Sequence, residues 1–295
     1  MTLKPSELAR VLVATSTMDV TKSRLVLELL CKGLEGVIPR GRMTRGEFIA
    51  RKRAKTAETL HETIGRVLDY AKHETLRNTE RHFRAVLKSA GASPGKSDQP
   101  STVRISFDPG EFQQDLIAAM EPNMADALQI AGQELFEEIG KDDPFTMPAK
   151  DTLAFIRKRQ NLLSGVSDEI HQEVEDTLAK GLEDQLPLRD LAKSIKGKFD
   201  EIYKGRAKVV AETETAAAYG YARNKAMLAA GITKKKWLHS PLAKEPRPDH
   251  VEAHGMVVPA NEPFPVGDPP LMYPHDPNGA AADVINCHCI AIPVE

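Results

Sequence analysis

The chain has 295 residues, of which 41% are hydrophobic, so it can bury a core and has room for two domains of ordinary size. Its formal net charge of -2 indicates no class of partner, and a content of 5% aromatic residues argues against a stacking platform for single-stranded nucleic acid. No apolar run is long enough to cross a membrane, and the first residues lack the pattern of a secretory signal. We therefore expect a cytosolic protein whose three cysteines are reduced.

The first segment, residues 1–88, is predicted to be a basic helical arm, with roughly 18 Lys and Arg against 10 Asp and Glu. The run from Thr44 to Glu47 fits a capping box that begins a long helix. Apolar residues then recur about once per turn, at Phe48, Ala54, Ala57, Ile64, Leu68, Ala71, Phe83 and Leu87. One narrow apolar stripe on so long a helix predicts a rod that docks on another surface.

The next two segments differ sharply in composition. Residues 89–102 are rich in Gly, Pro and Ser, which predicts a flexible linker or a surface loop. Residues 103–152 form an acidic mixed segment, in which the alternation of Val103, Ile105 and Phe107 predicts a short strand before a helix that reaches Phe136. The composition of this segment indicates no role for it.

Residues 167–231 are predicted to form three helices. Ser167, followed by acidic residues, is a candidate start, and Pro187 separates the first helix from the second. Apolar residues of the second helix recur at Leu188, Leu191, Ile195 and Phe199. The third helix runs from about Lys204 to Ala230 and ends at Gly231. The first two favour a packed helical pair over a DNA-binding helix-turn-helix.

The tail, residues 232–295, has a different composition, since more than half of the chain's 20 prolines follow residue 240. Only short runs, at 256–258 and 289–292, look like strands. Such a segment must pack on the helices or be held by polar contacts or a metal. The fold class we predict is α+β, with mainly helical N-terminal and central regions and a small irregular α+β C-terminal domain within residues 153–295.

Potential metal ligands are concentrated in this tail. His250 and His254 share a face if their turn is helical, and Cys287 and Cys289 add two thiolates, so the four could form a Cys2His2 zinc site. Asp249, His275 and His288 are further donors in the tail. The alternative is that the cysteines are small buried residues at the end of a strand, with His250 hydrogen-bonded nearby.

A longer series of residues in a fixed order extends beyond these ligands. It comprises Thr213, Glu214, Trp237, Arg247, Asp249, His250, Gly255, Phe264, Asn286, Cys287 and Cys289. In order and spacing this series resembles the phage Mu F-like minor head protein family, over roughly residues 165–294. The chain departs from that family at Glu212, where Arg is usual, at His275, where Gly is usual, and at His288, where Arg is commoner.

The resemblance implies a minor capsid protein that takes part in head morphogenesis and lies inside the virion head near the portal vertex. The implied partners are the portal protein and inner capsid proteins, with packaged DNA as a further partner and accompaniment of DNA at ejection as a further role. It implies assembly in the bacterial host cytoplasm, without a membrane, and it assigns no catalytic residue. From the one-striped helix we expect the N-terminal arm to make much of the contact with the portal.

Two other functions remain open from the sequence. Glu214 could be the general base of a metal-dependent hydrolase together with Asp249, His250 and the thiols, or it could simply pair with an arginine such as Arg206 or Arg247. The basic arm could bind DNA, in which case binding should weaken as salt rises. Trp237 is expected to pack in the core instead of stacking on a ligand.

Overall fold

The computed structural model describes residues 45–90, 106–240 and 246–294. Thr44, nearly all of the predicted linker 89–102, and the predicted strand residues Val103 and Ile105 lie outside these ranges. Phe107 is described, and it is not in a strand. Its ring is fully buried and lies 4.8 Å from that of Phe112.

Five long helices are found among the described residues. They are α1 (Arg45–Ala90), α2 (Pro109–Glu138), α3 (Ala149–Glu183), α4 (Leu188–Ile202) and α5 (Lys208–Ala229). A π-helical turn, Tyr203–Ala207, joins α4 to α5 without a loop. None of the described helices combines the length and the apolar character that spanning a membrane requires.

The tail after α5 forms a small sheet with two short helices. Its elements are β1 (Lys234–Leu238), α6 (Pro248–Glu252), β2 (Val257–Pro259), α7 (Ala281–Val284) and β3 (Ile290–Val294). The strands are antiparallel in the order β2-β1-β3. The prediction of a mainly helical α+β fold is confirmed. The central strand β1 was not predicted, because three successive lysines hide its alternation of buried and exposed positions.

Most of the described residues of the predicted apolar stripe of α1 are buried within the chain, whereas Ala54 is exposed. Ile49, Leu60, Ile64 and Leu68 are each at most 2% exposed and belong to the same core as residues of α2 to α5. Polar contacts run along the same helix, such as that from the His61 ring to the carbonyl oxygen of Tyr203 at 2.8 Å. The stripe is therefore not free to dock on another protein, and that expectation is wrong.

The first predicted helix of the central region begins earlier than the sequence suggests. Ser167 lies in the middle of α3, and its hydroxyl donates to the carbonyl oxygen of Leu163 one turn back at 3.1 Å. A serine whose hydroxyl bonds to the carbonyl oxygen four residues earlier can lie inside a helix and does not have to cap its first turn. The break at Pro187 and the buried face of α4 are confirmed, and α3 and α4 pack against each other.

Three helices end with the same hydrogen-bond pattern, in which a residue with positive φ follows the last turn. Gly140 after α2 and Gly231 after α5 have φ of 70° and 77°. Gln185 takes this place after α3, with φ of 51°, and the next amide, of Leu186, donates to the carbonyl oxygen of Gly181 at 2.9 Å. This is the Schellman arrangement, which favours glycine at the left-handed position.

Candidate metal centre

Three potential metal ligands meet in the interior of the tail. Nδ1 of His250, on α6, lies 3.6 Å from Sγ of Cys287 and 3.6 Å from Sγ of Cys289. All three side chains are buried, and their ligand atoms lie within 4.8 Å of one another. The two cysteines alternate across His288 just before β3, so both thiols face the same side.

The fourth residue of the predicted zinc site lies elsewhere. Helix α6 ends at Glu252, so His254 does not continue the face that carries His250. The exposed His254 ring instead accepts a hydrogen bond from the backbone N–H of His239 at 3.2 Å. The structure brings His250, Cys287 and Cys289 together and leaves His254 out of the group.

A second buried histidine, His275, lies near Cys287 but outside the group of three close ligands. It is 2% exposed, its Nδ1 lies 3.2 Å from the carbonyl oxygen of Val284, and its Nε2 has no hydrogen-bond partner. Its φ of 67° lies in the left-handed region, which a residue other than glycine adopts at a cost. The family that the sequence resembles usually has glycine at this position.

Hydrogen bonds and nearby charges shift the pKa values of the two thiols in opposite directions. The hydrogen bond with Cys289 and the nearby His275 and His250 rings hold the pKa of the Cys287 thiol well below its usual value, against the effect of burial. The same shared hydrogen bond, together with burial, raises the pKa of the Cys289 thiol. One sulfur of the pair therefore ionises readily, and the charge is stabilised by histidine rings.

Two arginines fix the backbone around the cysteines. Arg53, a buried residue of α1, donates through Nη2 to the carbonyl oxygen of His288 at 3.4 Å, and burial lowers its pKa. Arg247, just before α6, donates to the carbonyl oxygens of Ala282 and Ile285, the latter at 2.6 Å. Helix α1 and the start of α6 are thus tied to α7 and to the segment that follows it.

The remaining family-motif residues near the cluster build its walls and turns. Trp237 is fully buried, as predicted, with its ring 5.3 Å from that of His250 and 5.2 Å from that of Phe264. Gly255 and Asn286 take positive φ of 84° and 56°, conformations that glycine and asparagine tolerate best. Asp249 is exposed on the first turn of α6.

Glu214, on α5, forms a buried ion pair with Arg159 of α3. Nε of Arg159 donates to Oε2 at 2.6 Å, and Nη2 donates to Oε1, with both side chains at most 5% exposed. The arginine that pairs with Glu214 is therefore neither of those suggested by the sequence, since Arg206 pairs with Glu169 and Glu173 of α3. Thr213 beside it is also buried.

The predicted hydrolase arrangement is not assembled in the described part of the chain. Glu214 and Arg159 line a groove of about 570 Å³ between α3, α5 and the tail, and its lining includes neither His250 nor the two cysteines. Both oxygens of the Glu214 carboxylate are occupied by the guanidinium of Arg159.

Lys235 of β1 is a buried lysine that the sequence analysis missed. Its Nζ donates to Oδ1 of Asn224 on α5 at 3.1 Å and to the carbonyl oxygen of Met272 at 2.6 Å, and burial lowers its pKa to about 8. It therefore joins the irregular tail to α5. The tail packs closely on α5 at Gly220, where an added Cβ would lie 2.5 Å from the carbonyl oxygen of Pro274.

Sequence reasoning also missed Arg53 and Arg159, since each lies outside the motif series. Their only signal is an arginine on the apolar side of a helix that is otherwise charged, which is a weak one. For Lys235 a usable signal exists, because it shares a strand face with Trp237, two residues later.

The sequence model of the family described as "Phage Mu protein F like protein" matches residues 168–292. The match confirms, over this segment, the resemblance inferred from the motifs.

A curated relative also matches, the "Uncharacterized protein YqbB" of Bacillus subtilis (strain 168), at 27% identity over 193 residues. The match covers 64% of this chain and 63% of that relative, so a substantial part of each lies outside it. No solved structure gives a significant match.

Proposed function

We propose that the protein is a minor capsid component that takes part in phage head morphogenesis and docks inside the head at the portal vertex. The match of residues 168–292 to the Mu F-like family is the observation that carries this proposal. The motif residues fit a structural role, because Trp237 and Phe264 are fully buried and Glu214 is held in an ion pair. Entry into the head during assembly and accompaniment of DNA at ejection belong to the same proposal.

The contact with the portal or inner capsid proteins is assigned to the N-terminal region, through its charged surface. The apolar stripe of α1 is covered within the chain, whereas Arg51, Lys55, Arg77 and Arg81 of the same helix are exposed. Exposed cations steer association with acidic surfaces, and their effect is screened by salt. Docking through this surface should therefore weaken as the salt concentration rises.

Coexpression with the portal protein of the same phage tests this function. The full-length chain should copurify with portal, and it should be found by mass spectrometry in purified virions. Replacing the four exposed cations by Gln should reduce the copurified fraction, whereas replacing the exposed Lys193 and Lys196 of α4 by Gln should not. Absence of the chain from virions, together with no copurification at low salt, overturns the proposal.

DNA binding is the second candidate, and the same exposed cations favour it. The purified protein should then retain phage DNA, and it should lose the DNA when the four cations are replaced by Gln and when salt is raised. That result would indicate that this surface binds DNA and not the portal protein. A carried hydrolase is tested by Glu214→Gln. Metal-dependent cleavage of peptide or DNA by the wild type alone would contradict a purely structural role.

A further inference from the structure

We propose that His250, Cys287 and Cys289 bind one Zn²⁺ ion through three protein ligands and leave its fourth coordination place to water. The set keeps three of the four residues that sequence spacing suggested, and it excludes His254. The proposal does not depend on the role of the protein in the phage head.

The three donor atoms lie at distances that suit a single ion. Each Sγ lies 3.6 Å from Nδ1 of His250. A sulfur and a nitrogen bound to one tetrahedral zinc are separated by about this distance, since the two bonds are about 2.3 Å and 2.0 Å long. All three atoms lie within 4.8 Å of one another, so an ion between them can contact each.

Hydrogen bonding alone does not satisfy this arrangement. A ring nitrogen carries either one proton or one lone pair, so Nδ1 of His250 forms one good hydrogen bond at a time. Both sulfurs nevertheless lie at the same 3.6 Å from it. A metal ion between the three atoms accepts an electron pair from each of them, which accounts for the equal distances.

The surroundings of the donors are those of a metal site. The backbone N–H of Cys289 donates to Sγ of Cys287 at 3.4 Å, a contact that stabilises a charged sulfur. Bonds of this kind orient and tune thiolates that bind metals. Carboxylate oxygens of Asp249 and Asp283 lie within 4.8 Å of a ring nitrogen of His250, and a carboxylate is a common outer partner of a histidine ligand.

The chemistry of the donors favours zinc. Sulfur and imidazole ligands suit zinc or Cu(I), whereas Mg²⁺ and Ca²⁺ require oxygen ligands. The three side chains are buried, so the net charge of the site matters. Two thiolates cancel the charge of Zn²⁺, whereas with Cu(I) they leave one negative charge in the interior, which is costly.

Three protein ligands leave one coordination place of a tetrahedral zinc for a water molecule. Within the part of the chain that the structure describes, no fourth Asp, Glu, His or Cys lies close enough to join the group. The ion would join α6, which carries His250, to the turn before β3, which carries the cysteines. The expected effect of the metal is therefore on the stability of the tail.

The first test measures the metal in the full-length chain, purified under reducing conditions. Elemental analysis should find about one zinc per chain, and its removal by a chelator should lower the melting temperature. Cys31→Ser, which leaves Cys287 and Cys289 as the only thiols, should keep the zinc. A wild-type chain without zinc, or with copper in its place, overturns the proposal. Loss of zinc in Cys31→Ser overturns the set of ligands.

Replacing zinc with Co²⁺ reports on the thiolates and on the open coordination place. The wild type should show the intense near-ultraviolet band of thiolate ligation and the visible bands of tetrahedral cobalt. Cys287→Ser and Cys289→Ser should each weaken the thiolate band. Azide should shift the visible bands, because it replaces the water. Visible bands that do not respond to azide overturn the open place.

The decisive comparison is among three histidines, by chelator competition for zinc. His250→Ala should lower the affinity by more than the roughly 10- to 100-fold that loss of an outer contact causes. His254→Ala is the matched control and should leave the affinity unchanged. His275→Gly removes a ring that lies near Cys287 but outside the group, so it should lower the affinity less than His250→Ala does. An equal loss in these two variants, or a loss in His254→Ala, overturns the assignment of the ligands.

Discussion

The long helices and the tail after Ala229 are held in place by different means. In α4, Leu191, Ile195 and Phe199 recur at helical spacing, and each adds a similar share of apolar burial. In the tail, single polar groups such as Lys235 and Arg247 hold segments that have little regular hydrogen bonding. The stabilising free energy is spread over many residues in the long helices, whereas in the tail it depends on a few.

This difference determines how each region should respond to substitution. Loss of one apolar side chain from a helix leaves a cavity, and the neighbouring side chains still hold the helix. Loss of one polar contact in the tail, or of one buried ion pair between helices, leaves a buried partner unsatisfied. Four changes, in order of decreasing effect, test the contrast.

Deleting residues 1–90 should have the largest effect, because it removes α1 and exposes the core that Ile64 and Leu68 cover. We expect loss of cooperative thermal unfolding and rapid digestion by a protease. Deletion of residues 1–44 is the control and should keep a cooperative transition. A fragment without α1 that stays resistant to proteases would restore the interpretation of residues 1–88 as a separate arm.

Arg159→Met should lower the free energy of unfolding by about 3 to 5 kcal/mol, since it leaves the Glu214 carboxylate buried without its partner. The double variant Arg159→Met with Glu214→Leu should recover most of that loss, because no charge then remains in the interior. Urea unfolding measures both. Lys208→Met, which breaks a largely exposed ion pair with Glu212, should cost less than about 1 kcal/mol. Equal losses in the single and double variants would contradict the argument.

Lys235→Met should change how stability depends on pH. The pKa of Lys235 is lowered from 10.5 to about 8, so between these values the unfolded chain binds more protons and the stability of the wild type should rise with pH. The whole rise is on the order of 3 kcal/mol. The variant should lose this rise in urea unfolding measured from pH 7 to 10.

The matched control for that prediction is Lys234→Met, which replaces the exposed neighbour on the same strand. It should keep the pH dependence of the wild type. Identical pH profiles for Lys235→Met and the wild type would show that the buried amine does not titrate in this range.

Gln185→Gly should have the smallest effect, a gain of about 0.5 to 1 kcal/mol, because glycine adopts the positive φ at this helix end more easily. Gly231→Ala, at the equivalent position after α5, should lose a similar amount. Thermal unfolding measures both changes. Opposite signs in the two variants support the assignment, whereas a loss in Gln185→Gly contradicts it.

Periodicity in the sequence was sufficient to predict most helices, since an apolar face repeats over many turns. Residue type alone predicted the break at Pro187 and the buried position of Trp237. It failed where one residue can serve two purposes. Serine often caps the start of a helix, but the hydroxyl of Ser167 bonds to a carbonyl oxygen inside α3. Three successive lysines are typical of a solvent-exposed loop, but here they lie in the strand β1.

The candidate metal centre was predicted only in part, for a geometric reason. Cys287 and Cys289 lie together in the structure, as the sequence predicted, because the two residues are close in sequence. The partners of His250 and Glu214 depend on contacts between distant segments, such as the 55 residues that separate Arg159 from Glu214. No local pattern records such distances, so the sequence analysis included His254, which the structure leaves outside the group of His250, Cys287 and Cys289.

The hydrogen bond from Arg53 to the carbonyl oxygen of His288 joins residues 235 positions apart. During synthesis on a ribosome, α1 is made before the other described elements, and this contact cannot form until His288 has been added. The apolar face of α1 is covered only once the later helices have been made, and until then its exposure promotes aggregation. We expect newly made chains to need chaperones until these helices have packed.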